Sequence, residues 1–203
     1  MEKIGLLGGT FDPIHFGHLI LAEQAKIEAV LDHVVFMPAK SSPYKVRQKC
    51  GSDHHRYNMV SAAIKGNPGF SVSNLELCGG EISYTYDTLR ALQQQLGLGC
   101  CIHFICGTDA FIGMEGWKNK DKLLGNFPII VGARPRYRDK ARDAMITKFS
   151  YEYGAKVQKI HMPKIDISST DIKNRLAAGK SIRYMVPEDV MNYIQTEKLY
   201  RNL

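Results

Sequence analysis

Short apolar runs alternate along this chain with longer stretches of helical periodicity, and that alternation leaves few folds open. The runs are Lys3–Leu7, His33–Met37, Phe70–Val72, Cys101–Cys106, Pro128–Gly132 and Lys156–His161. Between and after them lie helix-forming stretches at Gly17–Leu31, Asp53–Lys65, Asp87–Leu96, Lys120–Leu124, Asp139–Glu152, Ser169–Ala178 and Pro187–Leu199. Strands that are apolar at successive positions are covered on both faces. Strand–helix repetition builds a parallel sheet with helices on either side. The expected fold class is therefore α/β, a Rossmann-like doubly wound parallel sheet. No Ser/Gly/Pro-rich linker or repeat interrupts residues 1–203, so the expectation is one domain. Ligands of such sheets bind beyond the carboxyl ends of the strands, where strand order reverses.

The first strand runs into Gly8-Gly9-Thr10-Phe11-Asp12-Pro13-Ile14-His15-Phe16-Gly17-His18, which leads into a helix. A glycine turn at a helix N-terminus presents backbone N–H groups to an anion, phosphate above all. A resting phosphate needs no imidazoles, yet this turn carries His15 and His18. The pair suggests a site where a phosphate reacts; alone, each histidine could be an ordinary cap or core residue. A second segment, Ile167-Ser168-Ser169-Thr170-Asp171-Ile172-Lys173, sets three hydroxyls at a helix start, with Lys173 one turn on from Thr170. Those hydroxyls suit simple capping as well as anion binding. In a third, Ser83-Tyr84-Thr85-Tyr86-Asp87-Thr88, Thr85 is a candidate N-cap, and the free N–H groups beyond it can receive a carboxylate.

Charge agrees with an anionic ligand. There are 27 Lys and Arg against 20 Asp and Glu, a net charge of +7. The excess gathers in Lys40, Lys45, Arg47, Lys49 and Arg56, and in Arg134, Arg136, Arg138, Lys140 and Arg142. Either run could equally be a solvated face. Five cysteines without regular spacing describe no disulfide framework, and no run has the length of a membrane span or the look of a secretory leader. The expected setting is cytoplasmic, with no membrane partner. Cys100, Cys101, His103 and Cys106 invite a zinc reading, but in a strand His103 and Cys106 face opposite ways. Gly179-Lys180-Ser181 has the ending of a P-loop without its first glycine, since residue 174 is Asn174.

Gly9-Thr10-Phe11-Asp12-Pro13-x-His15-x-Gly17-His18 resembles the signature of the nucleotidyltransferases that join a phosphorylated metabolite to a nucleotide. The Ile-Ser-Ser-Thr segment resembles that family's second signature, with Lys173 where an arginine is usual. Ser83-Tyr84-Thr85-x-Asp87-Thr88-Leu89, and Trp117 soon after Gly107-Thr108-Asp109, resemble the nicotinate mononucleotide adenylyltransferases in particular. The resemblance implies a reaction of ATP with nicotinate mononucleotide that yields deamido-NAD and pyrophosphate, a step of NAD biosynthesis.

It implies His18 and His15 as catalytic residues. ATP would be bound by Gly8, Gly9, Thr10, Phe11, His15, His18, Gly107, Asp109, Ile167, Ser168, Ser169, Thr170 and Lys173. The nicotinate nucleotide would meet Lys45, Tyr84, Thr85, Asp109, Trp117 and Arg134, with Tyr44 standing where the family has a histidine. A quaternary pyridine ring is a cation, and tryptophan offers it the best aromatic face. Mg²⁺ is implied with ATP, and no dedicated carboxylate cage for it is visible. Nicotinamide mononucleotide or phosphopantetheine as the acceptor, and a non-catalytic nucleotide- or RNA-binding module, are the competing readings. No aromatic platform for RNA is present, so nucleic acid is not an expected partner. Homo-oligomerisation is left open.

Overall fold

The computed structural model describes residues 1–40, 51–79, 84–97, 99–132 and 139–200. Six parallel strands form one sheet in the order β3-β2-β1-β4-β5-β6. They are β1 (Glu2–Gly9), β2 (His33–Pro38), β3 (Phe70–Val72), β4 (Cys100–Gly107), β5 (Ile129–Gly132) and β6 (Val157–Ile160). The helices are α1 (Phe16–Glu28), α2 (Asp53–Ile64), α3 (Thr85–Leu96), α4 (Thr108–Gly113), α5 (Lys120–Asn126), α6 (Asp139–Tyr153), α7 (Ser169–Ala177) and α8 (Glu188–Thr196). Order reverses between β1 and β4, so the crevice beyond their carboxyl ends is the expected binding edge.

Strand alternation divides the core into two layers. Ile4 and Leu6 of β1, Ile102, Phe104 and Cys106 of β4, and Ile129 and Val131 of β5 pack with Leu89, Leu92, Phe111, Leu123 and Phe149. Leu7, Ile105 and Ile130, from the same strands, face Leu21, Ala22, Met59, Val60, Ile172 and Val190 on the other side. Gly5 packs where a side chain would not fit: a Cβ there would stand 2.6 Å from Ile105 Cδ1 of β4 and 2.8 Å from Leu31 Cδ1 in the connection from α1 to β2.

Cys101 and His103 fall on the face opposite Cys100 and Cys106, as strand geometry requires. His103 Nδ1 lies 3.3 Å from the Cys101 carbonyl, and burial holds its pKa below the ordinary 6.5.

Several boundaries differ from the sequence reading. α4 and the 3₁₀ turn after it, Met114–Gly116, had no counterpart there. The helix starts directly on the strand's last glycine, with no polar connector to announce it. Thr85 is not the N-cap of α3: Tyr84 holds that position in an extended conformation without a side-chain cap, and Thr85 is the first helical residue. Pro187, expected as the first helical residue of α8, is its N-cap, and Glu188 opens the helix. α8 stops at Thr196 rather than Leu199, because Lys198 (φ 52°) and Tyr200 (φ 63°) take left-handed backbone that no helix continues through.

Candidate active site

The signature turn is shaped from inside. Phe11 adopts φ 49°, and its ring is buried against Phe36 and edge-on to His18, with centroids 5.0 Å apart. Its side chain is therefore a floor under His18 and not part of the cleft wall. His15 is the N-cap of α1 and is 2 % exposed. Its backbone N–H donates to His18 Nδ1 at 3.3 Å, and the two rings stack at 3.8 Å with an interplanar angle of 26°. Because Nδ1 accepts, the neutral His18 ring carries its proton on Nε2. Capping thus selects the tautomer that can donate to a phosphate oxygen.

His18 borders a cleft of about 370 Å³ over the carboxyl ends of β1 and β4. Among the residues expected from the sequence, Gly8, Gly9, Thr10, Tyr84, Thr85, Gly107, Asp109 and Trp117 border it as well. Residues as far apart in the chain as Gly8 and Trp117 meet here. Tyr84 and Thr85 bring the start of α3 to the same cavity as His18. Trp117 packs edge-on against Phe104 at 6.0 Å, and its backbone N–H donates to the Met114 carbonyl at 2.9 Å. That turn is clamped by Glu115, whose carboxylate accepts from Lys120 at 2.8 Å and from Lys148 of α6 at 3.1 Å. The two ammonium donors, Lys120 first, hold the Glu115 carboxyl below the usual carboxylate range.

The Ile-Ser-Ser-Thr segment sits beside the turn rather than on the wall of this cleft. Ser168 Oγ caps α7 by accepting from Asp171 N at 3.1 Å, and Ser169 Oγ donates to the Pro13 carbonyl at 2.9 Å. Ile167 passes close to Gly17, where a Cβ would lie 3.8 Å from the Ile167 carbonyl oxygen. Thr170 is exposed on α7. Lys173 makes an ion pair with Asp12 at 3.0 Å. Neither His15 nor Lys173 is among the described residues that line the cleft. Lys45, Tyr44 and Arg134 lie outside the described residues.

Sequence reasoning missed several residues that border the cleft. The Lys118 ammonium sits 4.2 Å above the Tyr84 ring and places a cation at the mouth, beside Trp117. Glu76 accepts from Thr88 Oγ1 at 2.6 Å. Cys106 lends a wholly buried thiol whose pKa burial drives far up, so it stays neutral. Leu21, Met162 and Gly132 close one end. A Cβ at Gly132 would clash with Leu21 Cδ1 and come within 3.2 Å of Met162 Cγ. Gly132→Ala is therefore expected to cost about 1–3 kcal/mol by overpacking and to raise KM for a substrate that enters this cleft. Paired denaturation and steady-state kinetics check this, and unchanged values for both would refute it.

Arg56 also departs from expectation. It belongs to a basic run in sequence but is 1 % exposed. Its guanidinium donates to the carbonyls of Thr10 (2.8 Å), Gly51 (3.2 Å) and Lys40 (3.4 Å), and to Asp53 Oδ1 (2.6 Å). It fastens the signature turn and is not among the described residues that line the cleft. Arg142, in the other run, is neutralised by Asp139 at 2.7 Å and Asp143 at 3.1 Å. Among the described residues, no three His, Cys, Asp or Glu side chains are gathered to hold a metal ion.

The model of the cytidylyltransferase-like family matches residues 6–175. A probable nicotinate-nucleotide adenylyltransferase of Thermoanaerobacter sp. (strain X514) is 39% identical over 199 residues, covering 98% of this chain and 94% of the relative. The chain belongs to the nicotinate-nucleotide adenylyltransferase family. A second member, a probable nicotinate-nucleotide adenylyltransferase of Exiguobacterium sibiricum, is 40% identical over 198 residues, covering 98% of each chain. The nicotinic acid mononucleotide adenylyltransferase of Plasmodium falciparum, solved in complex with NaAD, superposes with a TM-score of 0.81 over 98% of both chains at 20% identity. That last likeness is one of fold.

Proposed function

We propose that this protein joins ATP to nicotinate mononucleotide, releasing pyrophosphate and forming deamido-NAD, with residues 1–203 acting as one nucleotidyltransferase domain. The observation that carries this reading is the meeting of His18 with the α3 N-terminus, Trp117 and Lys118 around one cleft. A phosphate oxygen of the acceptor attacks the α-phosphorus of ATP. The bond from that phosphorus to the bridging oxygen breaks, and its electron pair leaves with pyrophosphate. No covalent enzyme intermediate is needed, so catalysis is positioning plus stabilisation of growing negative charge.

The Gly8–Thr10 turn and Nε2–H of His18 supply donors to the triphosphate, and His15 supports the His18 ring from behind. Asp109, exposed in the first turn of α4 just past the end of β4, suits ribose hydroxyls. The pyridine ring would lie on Trp117, with its carboxylate at the first-turn N–H groups of α3 and near Lys118. Lys45 and Arg134 complete the proposed acceptor contacts, while Ile167, Ser168, Ser169, Thr170 and Lys173 attend the phosphates from α7. Mg²⁺ enters as part of the substrate, bound to the triphosphate. Among the described residues no helix is long and apolar enough to cross a membrane, which fits the proposed cytoplasmic setting.

Pyrophosphate release with Mg²⁺-ATP and three acceptors tests the assignment. Nicotinate mononucleotide is expected to outpace nicotinamide mononucleotide by about 100-fold or more in kcat/KM, because the amide mispairs a site built for an anion. Phosphopantetheine should give no turnover. A preference for either competitor would overturn the acceptor assignment, and silence with all three would favour a non-catalytic nucleotide- or RNA-binding module.

A further inference from the structure

Asp12 lies inside the signature turn, three residues before His15, and its side chain is 3 % exposed. A carboxylate so far from water needs donors. Oδ1 accepts from the Tyr200 hydroxyl at 2.6 Å and from Gly51 N at 3.1 Å, while Oδ2 accepts from Lys173 Nζ at 3.0 Å. These donors lie 188, 39 and 161 residues away in sequence. Tyr200 is held in place independently of Asp12. It follows α8 with left-handed backbone (φ 63°), packs against the core, and sets its hydroxyl 3.9 Å from the Sδ of buried Met59.

We infer that Tyr200 is a positioning residue for ATP, acting through Asp12 on Lys173. The inference rests on the proposed role of Lys173 beside the triphosphate. The Lys173 side chain is 20 % exposed, so solvent and an anion entering beside α7 can reach it while its ammonium is paired with the Asp12 carboxylate. How firmly Asp12 retains it depends on the other donors to that carboxylate. The Tyr200 hydroxyl makes the shortest of the contacts and draws charge toward Oδ1, which weakens the hold of Oδ2 on the lysine. Without that hydroxyl, Asp12 leans on Lys173 for compensation and draws the ammonium inward, away from the phosphates. The arrangement also suits a lysine at position 173. A single ammonium can turn between two anions, whereas a planar guanidinium tends to lock onto one carboxylate in a two-point grip.

Tyr200→Phe keeps the ring and removes only the donor. It is expected to raise KM for ATP about fivefold while leaving kcat and KM for nicotinate mononucleotide within about twofold. In a Lys173→Met background the same change should leave KM for ATP unaltered. Gly51→Ala disturbs the same oxygen from another side, since a Cβ at Gly51 would stand 2.8 Å from Asp12 Oδ1. It should reproduce the rise in KM for ATP and lose it in the Lys173→Met background. A purely structural Tyr200 would instead lower the thermal midpoint with KM for ATP unchanged, or shift both KM values together, and either result overturns the inference. So does a KM effect that persists without Lys173. If the unaltered protein releases no pyrophosphate from ATP with any acceptor, the proposed function falls and takes this inference with it. An active parent whose variants leave KM for ATP untouched removes the inference alone.

Discussion

Arg56→Met is expected to cost about 3–5 kcal/mol of folding stability, because it strips a buried cation from several acceptors at once. Methionine fills much of the volume, so the loss reports hydrogen bonding more than a cavity. The Thr10 and Gly51 carbonyls would be left without their guanidinium donor, and Asp53 would lose its 2.6 Å partner. Asp53 is itself 42 % exposed and can rehydrate, so most of the penalty falls on the carbonyls. Arg56→Lys should recover less than half of the loss. One ammonium cannot reach positions that the guanidinium serves through Nε, Nη1 and Nη2 separately. Urea denaturation with an unchanged m-value is the measurement. A loss under about 1 kcal/mol for the methionine variant would show that the turn is held by other means.

Turnover is where His18→Ala should act. The expected fall in kcat is about 100-fold or more, the scale of losing one preorganised donor to developing negative charge. The substitution also removes the Nδ1 acceptor that caps the His15 N–H, which costs about 1 kcal/mol of stability. The variant should therefore stay folded, with a thermal midpoint lowered by a few degrees at most for a chain of this size. Single-turnover measurements with bound Mg²⁺-ATP separate the chemical step from binding. Near-normal kcat would remove His18 from the chemistry and leave it a helix cap that happens to face the cleft.

These two residues differ in how readable they were. His18 was marked by local pattern alone: strand, glycine turn and paired imidazoles follow one another within a dozen or so residues. Arg56 was legible only as one charge in a basic run. Its acceptors at Thr10, Lys40 and Gly51 come together through the packing of α2 on the sheet, and nothing local distinguishes it from Lys40. The same divide runs through the cleft. Thr85 and Trp117 were visible by resemblance, while Lys118 and Glu76 depend on α3 folding back over the β4 edge, where Tyr84 and Thr88 meet them. The resemblance implies Phe11 and His15 as ligand contacts, and the structure adds that both are buried. A positive φ in one case and an N-cap position in the other turn both side chains inward.

By itself the sequence determined the α/β class, the six strands to within a residue or two, and the turn at which phosphate chemistry is proposed. Each is governed by short-range physics: burial on both faces of a strand, glycine's tolerance of tight backbone, and orphan N–H groups at a helix start. The tertiary structure alone decided which charged and titratable groups border the cleft and which are consumed internally. Arg56 and Asp12 hold the turn, Lys173 is paired with Asp12, and His18 stands at the cleft. Buried charge must find its partners wherever the fold delivers them, and here they arrive from as far as 188 residues along the chain.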